Sequence, residues 1–414
     1  MADKYDILIK NARLRRQPDQ LFEIGITAGK IASIAPHAGV AGEIEIDAGG
    51  MLVTESFVNP HLHLCKVFTL QMMDGASLKS YHGAGMGKAM IAIELAARVK
   101  EQYDETWIIK NVRKAVAQAA QYGNTHIRAF ADVDSKAHLE GVVRASALAL
   151  LRAREEFIGV VDIQVVAFAQ DGIAREPGAA ELMHQAMALG ADVAGGIPWI
   201  EYTEADMLDH VRFIFDLAQE FNKDVSMLVD DAGDAGLRSL ELMALETIKR
   251  GWQGRSLAHH ARAMALYPLP YFQRVSALLK KAQMGVVSDP HTGPLHARVR
   301  ELLDEGNLVC LGQDDISDAY YPFGRNNLLE VAFLASHLLW FTSHQDIESL
   351  YDMVTTQAAR CMGLKDFEIK VGAPANLVVL GQPDVLEALR FHEAPVATIS
   401  HGRLVDLTEI FRRI

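Results

Sequence analysis

Two histidines, His61 and His63, stand one residue apart at the end of an apolar run, Phe57-Val58-Asn59-Pro60. Side chains two apart on a strand point the same way, so this pair can grip one ion. Neutral imidazoles suit zinc, iron and similar divalent metals. Asp314 closes a second apolar run, LVCLGQDD. A carboxylate buried there needs a cation or several donors to stay charged, which makes Asp314 a candidate ligand or proton acceptor. Its neighbour Asp315 fits a helix N-cap or a loop salt bridge better. His260 is a candidate for the same site, against the alternative of a hydrogen-bonded core histidine. His259 beside it faces the opposite way in a strand, so at most one of the two enters. Gln170 offers one acceptor and two donors, which suits the edge of a heterocycle. Histidines and acids of this kind gathered on one rim point to metal-assisted hydrolysis.

The elements that must carry these groups recur along the chain. Eight short apolar, β-branched segments each end in polar residues: Met51–His63, Thr125–Asp134, Asp162–Gln170, Asp192–Glu201, Val225–Asp231, Ser256–His260, Gly285–His291 and Leu308–Asp314. Amphipathic stretches such as Lys136–Glu155, Ala179–Leu189, Met207–Phe221 and Leu240–Arg250 lie between them. Strand–helix alternation repeated eight times predicts an α/β fold, a (β/α)8 barrel whose chemistry sits where the strands end. A doubly wound sheet is the structural alternative, but no Gly-rich nucleotide fingerprint follows the first strand. The candidate rim then holds His61, His63, His126 to Asp132, Gln170, Glu201, Asp230, Asp231, His259, His260, His291, Asp314 and Asp315. At the two ends of the chain, Tyr5–Lys10, Phe22–Thr27, Lys30–Ile34, Glu43–Ile46, Ala375–Leu380 and Val396–Ser400 read as short strands with turn signals. They predict one small β-sandwich-like domain from residues 1–55 plus 368–414, around a barrel of residues 56–367.

Composition narrows the classes. A 414-residue chain, half hydrophobic, is a folded globular protein rather than a disordered, collagen-like or coiled-coil one. The net charge of −13 argues against nucleic acid and anionic membranes as partners. Three scattered cysteines, Cys65, Cys310 and Cys361, make neither a disulfide framework nor a zinc ribbon. The opening MADKYDILIKNARLRR has no apolar core with a cleavage site, and no window is long and apolar enough to span a membrane. A cytoplasmic protein is the expectation, with a homo-oligomer compatible with it. The Gly- and Met-rich residues 70–95 read as a loop over the mouth.

The phrases FVNPHLHLCKVFT, GNTHIRAFADVD, DIQVVAFAQDG, GADVAGGIP, LGQDDISDAYYPFG and VGAPANLVVL together resemble the amidohydrolase superfamily, in its branch of bacterial cytosine deaminases and N-isopropylammelide amidohydrolases. The resemblance covers nearly the whole chain. It implies a metal-bearing barrel that hydrolyses C–N bonds in a pyrimidine- or triazine-like ring, by deamination or dealkylation. It places one divalent ion, Zn or Fe, on His61, His63 and Asp314. It makes Asp314 a proton shuttle, sets His260 beside the attacking water and gives Gln170 the substrate edge.

The fifth strand departs from that pattern. Where the family reads roughly His-x-Asp-Glu-x-x-Asp, this chain reads Leu228-Val229-Asp230-Asp231-Ala232-Gly233-Asp234. Leu228 replaces a ligand histidine, and Asp231 replaces a general acid/base glutamate one methylene longer. Cys65 stands where the family has aspartate and Phe130 where it has histidine. Asp230, two residues beyond Leu228, lies on the same strand face, and its oxygen partly replaces the lost imidazole. Three readings stay open. The first is an enzyme in which Asp314, His260 and Asp231 move protons while Gln170, Asp315, Phe130 and Leu228 line the small heterocyclic substrate. The second is a hydrolase of a bulkier, apolar amide or N-alkyl ring. The third is a non-catalytic binding protein on the same fold.

Overall fold

The computed structural model describes residues 4–72, 100, 105–133, 142–412 and 414. Most of the expected mouth loop, residues 73–95, lies outside them.

The chain opens with four strands, β1 (Tyr5–Leu14), β2 (Gln17–Thr27), β3 (Lys30–Ala35) and β4 (Gly42–Asp47), ordered β3-β2-β1-β4 in one sheet. Strand β5 (Val53–Glu55) belongs to a different sheet, with three strands from the far end of the chain: β14 (Leu377–Val379), β15 (Ala397–Ser400) and β16 (Arg403–Leu404). Ile7, Ile9, Ile24 and Ile26 of the first sheet bury against Leu377, Val379 and Ile399 of the second. The strands alternate apolar and polar residues because only one face of each sheet is covered. At the seam a Cβ on Gly402 would lie 2.4 Å from the Cα of Gly29, so the turn at His401-Gly402 admits only glycine there.

Between these sheets lie eight parallel strands: β6 (Phe57–Leu62), β7 (Asn124–Asp132), β8 (Asp162–Ala169), β9 (Val193–Gly196), β10 (Asp224–Val229), β11 (Ser256–His260), β12 (Gly285–Ser288) and β13 (Val309–Leu311). Each of the eight segments read from the sequence overlaps one, and β7 and β10 begin one residue earlier than read. The ring closes where the amide of His63 donates to Asp314 O (2.8 Å) and the amide of Asp314 to His61 O (2.9 Å). Helices such as Glu204–Glu220 and Leu269–Ala282 cover the outside. Their apolar stripes pack on strand residues that are buried on both faces, which is why those strands read as unbroken apolar runs. No described helix is long and apolar enough to cross a membrane.

Candidate metal centre

Strand β6 aims the two histidines. Pro60 has no N–H to give to the ladder, and the pairing with β7 slips between Asn59 and Leu62, as at a bulge. Asn59 Oδ1 accepts the amides of His61 (3.2 Å) and Gln313 (3.1 Å), tying the bulge to β13. Behind it, a Cβ on Gly312 would lie 2.7 Å from both His61 Cβ and Asp289 Oδ1. A larger residue there would push the site apart.

His61, His63, His260 and Asp314 meet inside this ring, with one ligating atom of each within 4.8 Å of the others. All four are buried. His61 Nε2 lies 3.0 Å from Asp314 Oδ1, while His63 Nε2 and His260 Nε2 lie 3.8 and 3.9 Å from the same oxygen. Two ligands on a tetrahedral zinc at ordinary bond lengths stand about 3.3 Å apart, so these separations suit a shared ion. His63 Nδ1 and both Asp289 carboxylate oxygens are buried without a hydrogen-bond partner, polar atoms left over around the cluster. The residues fit a divalent metal.

Electrostatics agrees. Burial, reinforced by the nearby Lys66 charge, holds His63 well below the usual imidazole range. Burial likewise brings His260 down to about 4, so both rings are neutral and able to ligate. Burial pushes the Asp314 carboxyl up, but His260 and the hydrogen bond from His61 outweigh it and hold the group well below the usual carboxylate range. Thr292 Oγ1 donates to Asp314 Oδ2 at 2.7 Å, and Arg262 lies 3.7 Å from that oxygen. Asp314 and His260 both sit at positive φ (66° and 67°), a conformation that non-glycine residues hold only under constraint.

The remaining candidates separate. His259 does not face away: its Nδ1 lies 2.7 Å from His61 Nδ1, so it supports that ring from inside the barrel. Both histidines therefore touch the cluster, because the left-handed backbone at His260 breaks the strand alternation and turns that ring inward as well. Asp230 is not a substitute ligand. Strand β10 ends at Val229, and φ of 48° at Asp230 swings its carboxylate away. It accepts from Ser239 N and Oγ (2.7 and 2.6 Å) and from Tyr267 Oη (2.6 Å), capping helix Ser239–Lys249. Asp231 pairs with Arg262 Nε at 2.5 Å and stands 3.9 Å from His260 Nε2. Gln170 Oε1 accepts from Lys66 Nζ at 3.0 Å. Asp315 caps no helix; it is buried near Asp318 and Lys66, and burial raises its carboxyl well above the usual range. His291 turns to Gln313 O (3.2 Å), Glu201 to His210 (2.6 Å) and Asp132 to Lys100 (3.3 Å). His126, near the start of β7, lies at the opposite end of the barrel.

Phe130 and Leu228 make the other wall. Phe130 stands 4.7 Å from the His61 ring and 5.2 Å from His63. Leu228 joins it in an apolar cluster with Val166, Phe168, Ile197 and Trp199. Sequence reasoning missed the supports: Asp289, 3.3 Å from His260 Nδ1, and Arg262, Thr292 and Lys66. Asp289 lies inside the seventh strand segment, so a search of every strand end for acids would have found it.

The amidohydrolase family pattern matches residues 45–406. The chain belongs to the amidohydrolase family. It is 30% identical to N-isopropylammelide isopropyl amidohydrolase of Pseudomonas sp. (strain ADP), over 99% of each chain. Its structure superposes on that of 5-methylcytosine deaminase from Klebsiella pneumoniae, solved with phosphonocytosine, with a TM-score of 0.87 and 31% identity, covering 96% of this chain and 98% of that one. N-isopropylammelide isopropylaminohydrolase from Burkholderia multivorans shares the fold at 23% identity and a TM-score of 0.80, over 96% and 97% of the two chains. Family membership makes this chain an amidohydrolase that acts on C–N bonds, with a histidine–aspartate cluster at its mouth that fits a metal.

Proposed function

We propose that this amidohydrolase removes ammonia or a small alkylamine from a six-membered nitrogen ring that carries a compact apolar substituent. The observation that carries this is the division of the mouth. A histidine–aspartate cluster faces an apolar wall that includes Leu228 and Phe130, where a strongly polar rim would suit an unsubstituted pyrimidine. The relatives named N-isopropylammelide isopropyl amidohydrolase and 5-methylcytosine deaminase support a ring of this kind.

His61, His63 and Asp314 are the residues that would hold one Zn²⁺ or Fe²⁺. When bound, such an ion supplies Lewis-acid activation, bringing the pKa of water towards about 7. Asp314 Oδ1 receives a proton from the attacking water while Thr292 and Arg262 hold its other oxygen. His260 Nε2 stands 3.9 Å from both Asp314 Oδ1 and Asp231 Oδ2, so it can carry that proton across the pocket to the ring nitrogen or the leaving amine. Arg262 Nη2 donates to His260 Nδ1 at 3.4 Å, which leaves Nε2 as the nitrogen facing the pocket. Lys66 only donates, so the Gln170 atom facing it is the oxygen, and the Gln170 amide N–H groups are left to hold a ring acceptor.

A second reading makes His260 the fourth ligand, replacing the histidine absent at Leu228, and the tight four-residue cluster favours it. His260→Gln separates the two. A proton carrier leaves bound metal intact while turnover falls roughly 10²–10⁴-fold; a ligand takes the metal with it. The functional assignment itself is tested by loading the protein with Zn²⁺ or Fe²⁺ and supplying cytosine, 5-methylcytosine, isocytosine, creatinine, N-alkyl ammelides and cyclic ureas. Release of ammonia or alkylamine from a substituted ring is the expected result. No amine from any ring by the fully loaded protein would reject the proposal.

A further inference from the structure

A second cluster of metal-ligating groups lies at the base of the barrel, away from the mouth. His126 near the start of β7, Asp162 at the start of β8 and His401 in the turn after β15 bring one ligating atom each to within 4.8 Å of one another. Both rings present Nε2 to the same carboxylate oxygen. His401 Nε2 is 2.9 Å from Asp162 Oδ2, and His126 Nε2 is 3.6 Å from it. The longer distance is outside hydrogen-bonding range, so pairing with Asp162 does not account for the aim of the His126 ring.

The surroundings are arranged as they are around metal ligands. Thr125 Oγ1 hydrogen-bonds His126 Nδ1 at 2.8 Å, which fixes the ring and leaves Nε2 for the cluster. Thr125 is itself held by Ser56 Oγ at 2.7 Å. Phe367 closes one side of His126, edge-on at 5.5 Å. Asn376 Oδ1 accepts the His401 amide at 2.7 Å, and the close approach of Gly402 to Gly29 holds the turn. The outer side is open: the side chains of His401 and Asp162 are 41% and 35% exposed, so an ion has an entry path and room for water.

We infer that His126, Asp162 and His401 form a second divalent transition-metal site, which pins the base of the barrel to the C-terminal sheet. Two imidazoles and one carboxylate select a borderline cation such as Zn²⁺, Co²⁺ or Ni²⁺ over Mg²⁺ or Ca²⁺. The ligand separations of 2.9 and 3.6 Å straddle the roughly 3.3 Å expected around tetrahedral zinc. Burial brings His126 down to about 4, leaving that ring neutral and able to ligate. No residue of this cluster belongs to the mouth, so the two sites are separable by experiment.

The test uses the full chain, stripped with a chelator, dialysed and titrated with Co²⁺ alone, with visible absorption and calorimetry as readouts. The wild type should take up two ions. His401→Ala, on a half-exposed turn, should take up one and keep the hydrolytic activity of the loaded mouth. Asp162→Asn should weaken the second ion at least tenfold. In an Asp314→Ala, His63→Ala background the base should still bind one Co²⁺, and adding His401→Ala should abolish it. Zn²⁺ should raise the Tm of that background and not of its His401→Ala derivative. Equal uptake with and without His401 and Asp162 would overturn the inference, as would a base that binds no Co²⁺ while wild-type protein is folded. Loss of ring hydrolysis with base binding intact would count against the mouth assignment only.

Discussion

Histidine and aspartate meet at both ends of this barrel, under different conditions. At the mouth every group is buried, two of the four sit at positive φ, and Thr292, Arg262, Asp289 and His259 brace them from several strands. At the base, His126 and Asp162 lie in regular strand and the carboxylate is a third exposed. Strain of about 1–3 kcal/mol per residue persists only where the surroundings over-determine it. The mouth holds two such residues, both buried, and is built at a cost to stability for reactivity; the base holds one, His401 at φ 49°, in a half-exposed turn that joins two parts of the fold. Changes at the mouth should move chemistry more than stability, and changes at the base should do the reverse.

Asp314→Ala gives the largest effect. It removes a ligand and a proton acceptor together, so turnover should fall by roughly 10³-fold or more and the mouth should lose its ion. Metal content and kcat measured on the same preparation check this. Unfolding should change by only about 1–3 kcal/mol, the cost of leaving Thr292 and His61 unpaired. Full activity with full metal would move the centre elsewhere and erase the contrast between the two ends.

Leu228→His comes next and tests the apolar wall. Leu228 is 3% exposed and packed with Phe130, Phe168 and Trp199, so an imidazole there loses packing and lacks a hydrogen-bond partner. The expected loss is about 2–4 kcal/mol of unfolding free energy in the metal-free protein. Added Zn²⁺ should return part of it by ligating the new ring, and denaturant melts with and without Zn²⁺ read both quantities. A neutral substitution in both conditions would mean that this wall is an open pocket.

Gln170→Ala should raise KM for a ring substrate about 10- to 100-fold, equivalent to about 1–3 kcal/mol, and leave metal content unchanged. The fate of Lys66 matters here, because it loses its acceptor but keeps the attraction of the Asp132 charge. A fall in kcat with KM unmoved would place Gln170 outside the substrate contact.

What the sequence made legible follows from the periodicity of barrels. Eight apolar runs separated by amphipathic stretches could be counted without any tertiary information. The ends of those runs named His61, His63, His260 and Asp314, which the fold brings together. The misreadings occur where alternation stops. Counting two residues puts Asp230 beside Leu228, but the strand ends at Val229 and the backbone turns left-handed. Alternation gives His259 the opposite face from His260, but the same kind of turn brings both to His61. The sequence puts His126 with the mouth because a nine-residue strand does not say which of its residues lies at the top. Arg262 and Thr292 support other groups rather than closing an apolar run, so no local pattern marks them, whereas Asp289 directly follows the apolar strand Gly285–Ser288.

The smallest expected effect is at the base, in metal-free protein, and pH reveals it. The groups facing His401 are Asp162, which hydrogen-bonds it, His126 across the cluster and Arg403 beside it. The Asp162 hydrogen bond raises the His401 pKa above its ordinary value against opposing burial. A raised folded-state pKa means that the pair contributes fully below the unfolded value of about 6.5 and fades as pH rises through the folded value. Asp162 is shifted down by His401 and His126 against the opposing effect of burial, so its contribution is lost only as pH falls below the usual carboxylate range. Between those limits, around pH 5–6, His401→Gln should lower stability in EDTA by no more than about 1 kcal/mol, because both side chains are partly exposed. The deficit should shrink as pH rises past the ordinary imidazole value and the wild-type ring becomes neutral. Hydrolysis at the mouth should not change across this series. A deficit that grew with pH would mean that His401 is held neutral in the folded chain, and that the base, like the mouth, is built to keep its imidazoles uncharged.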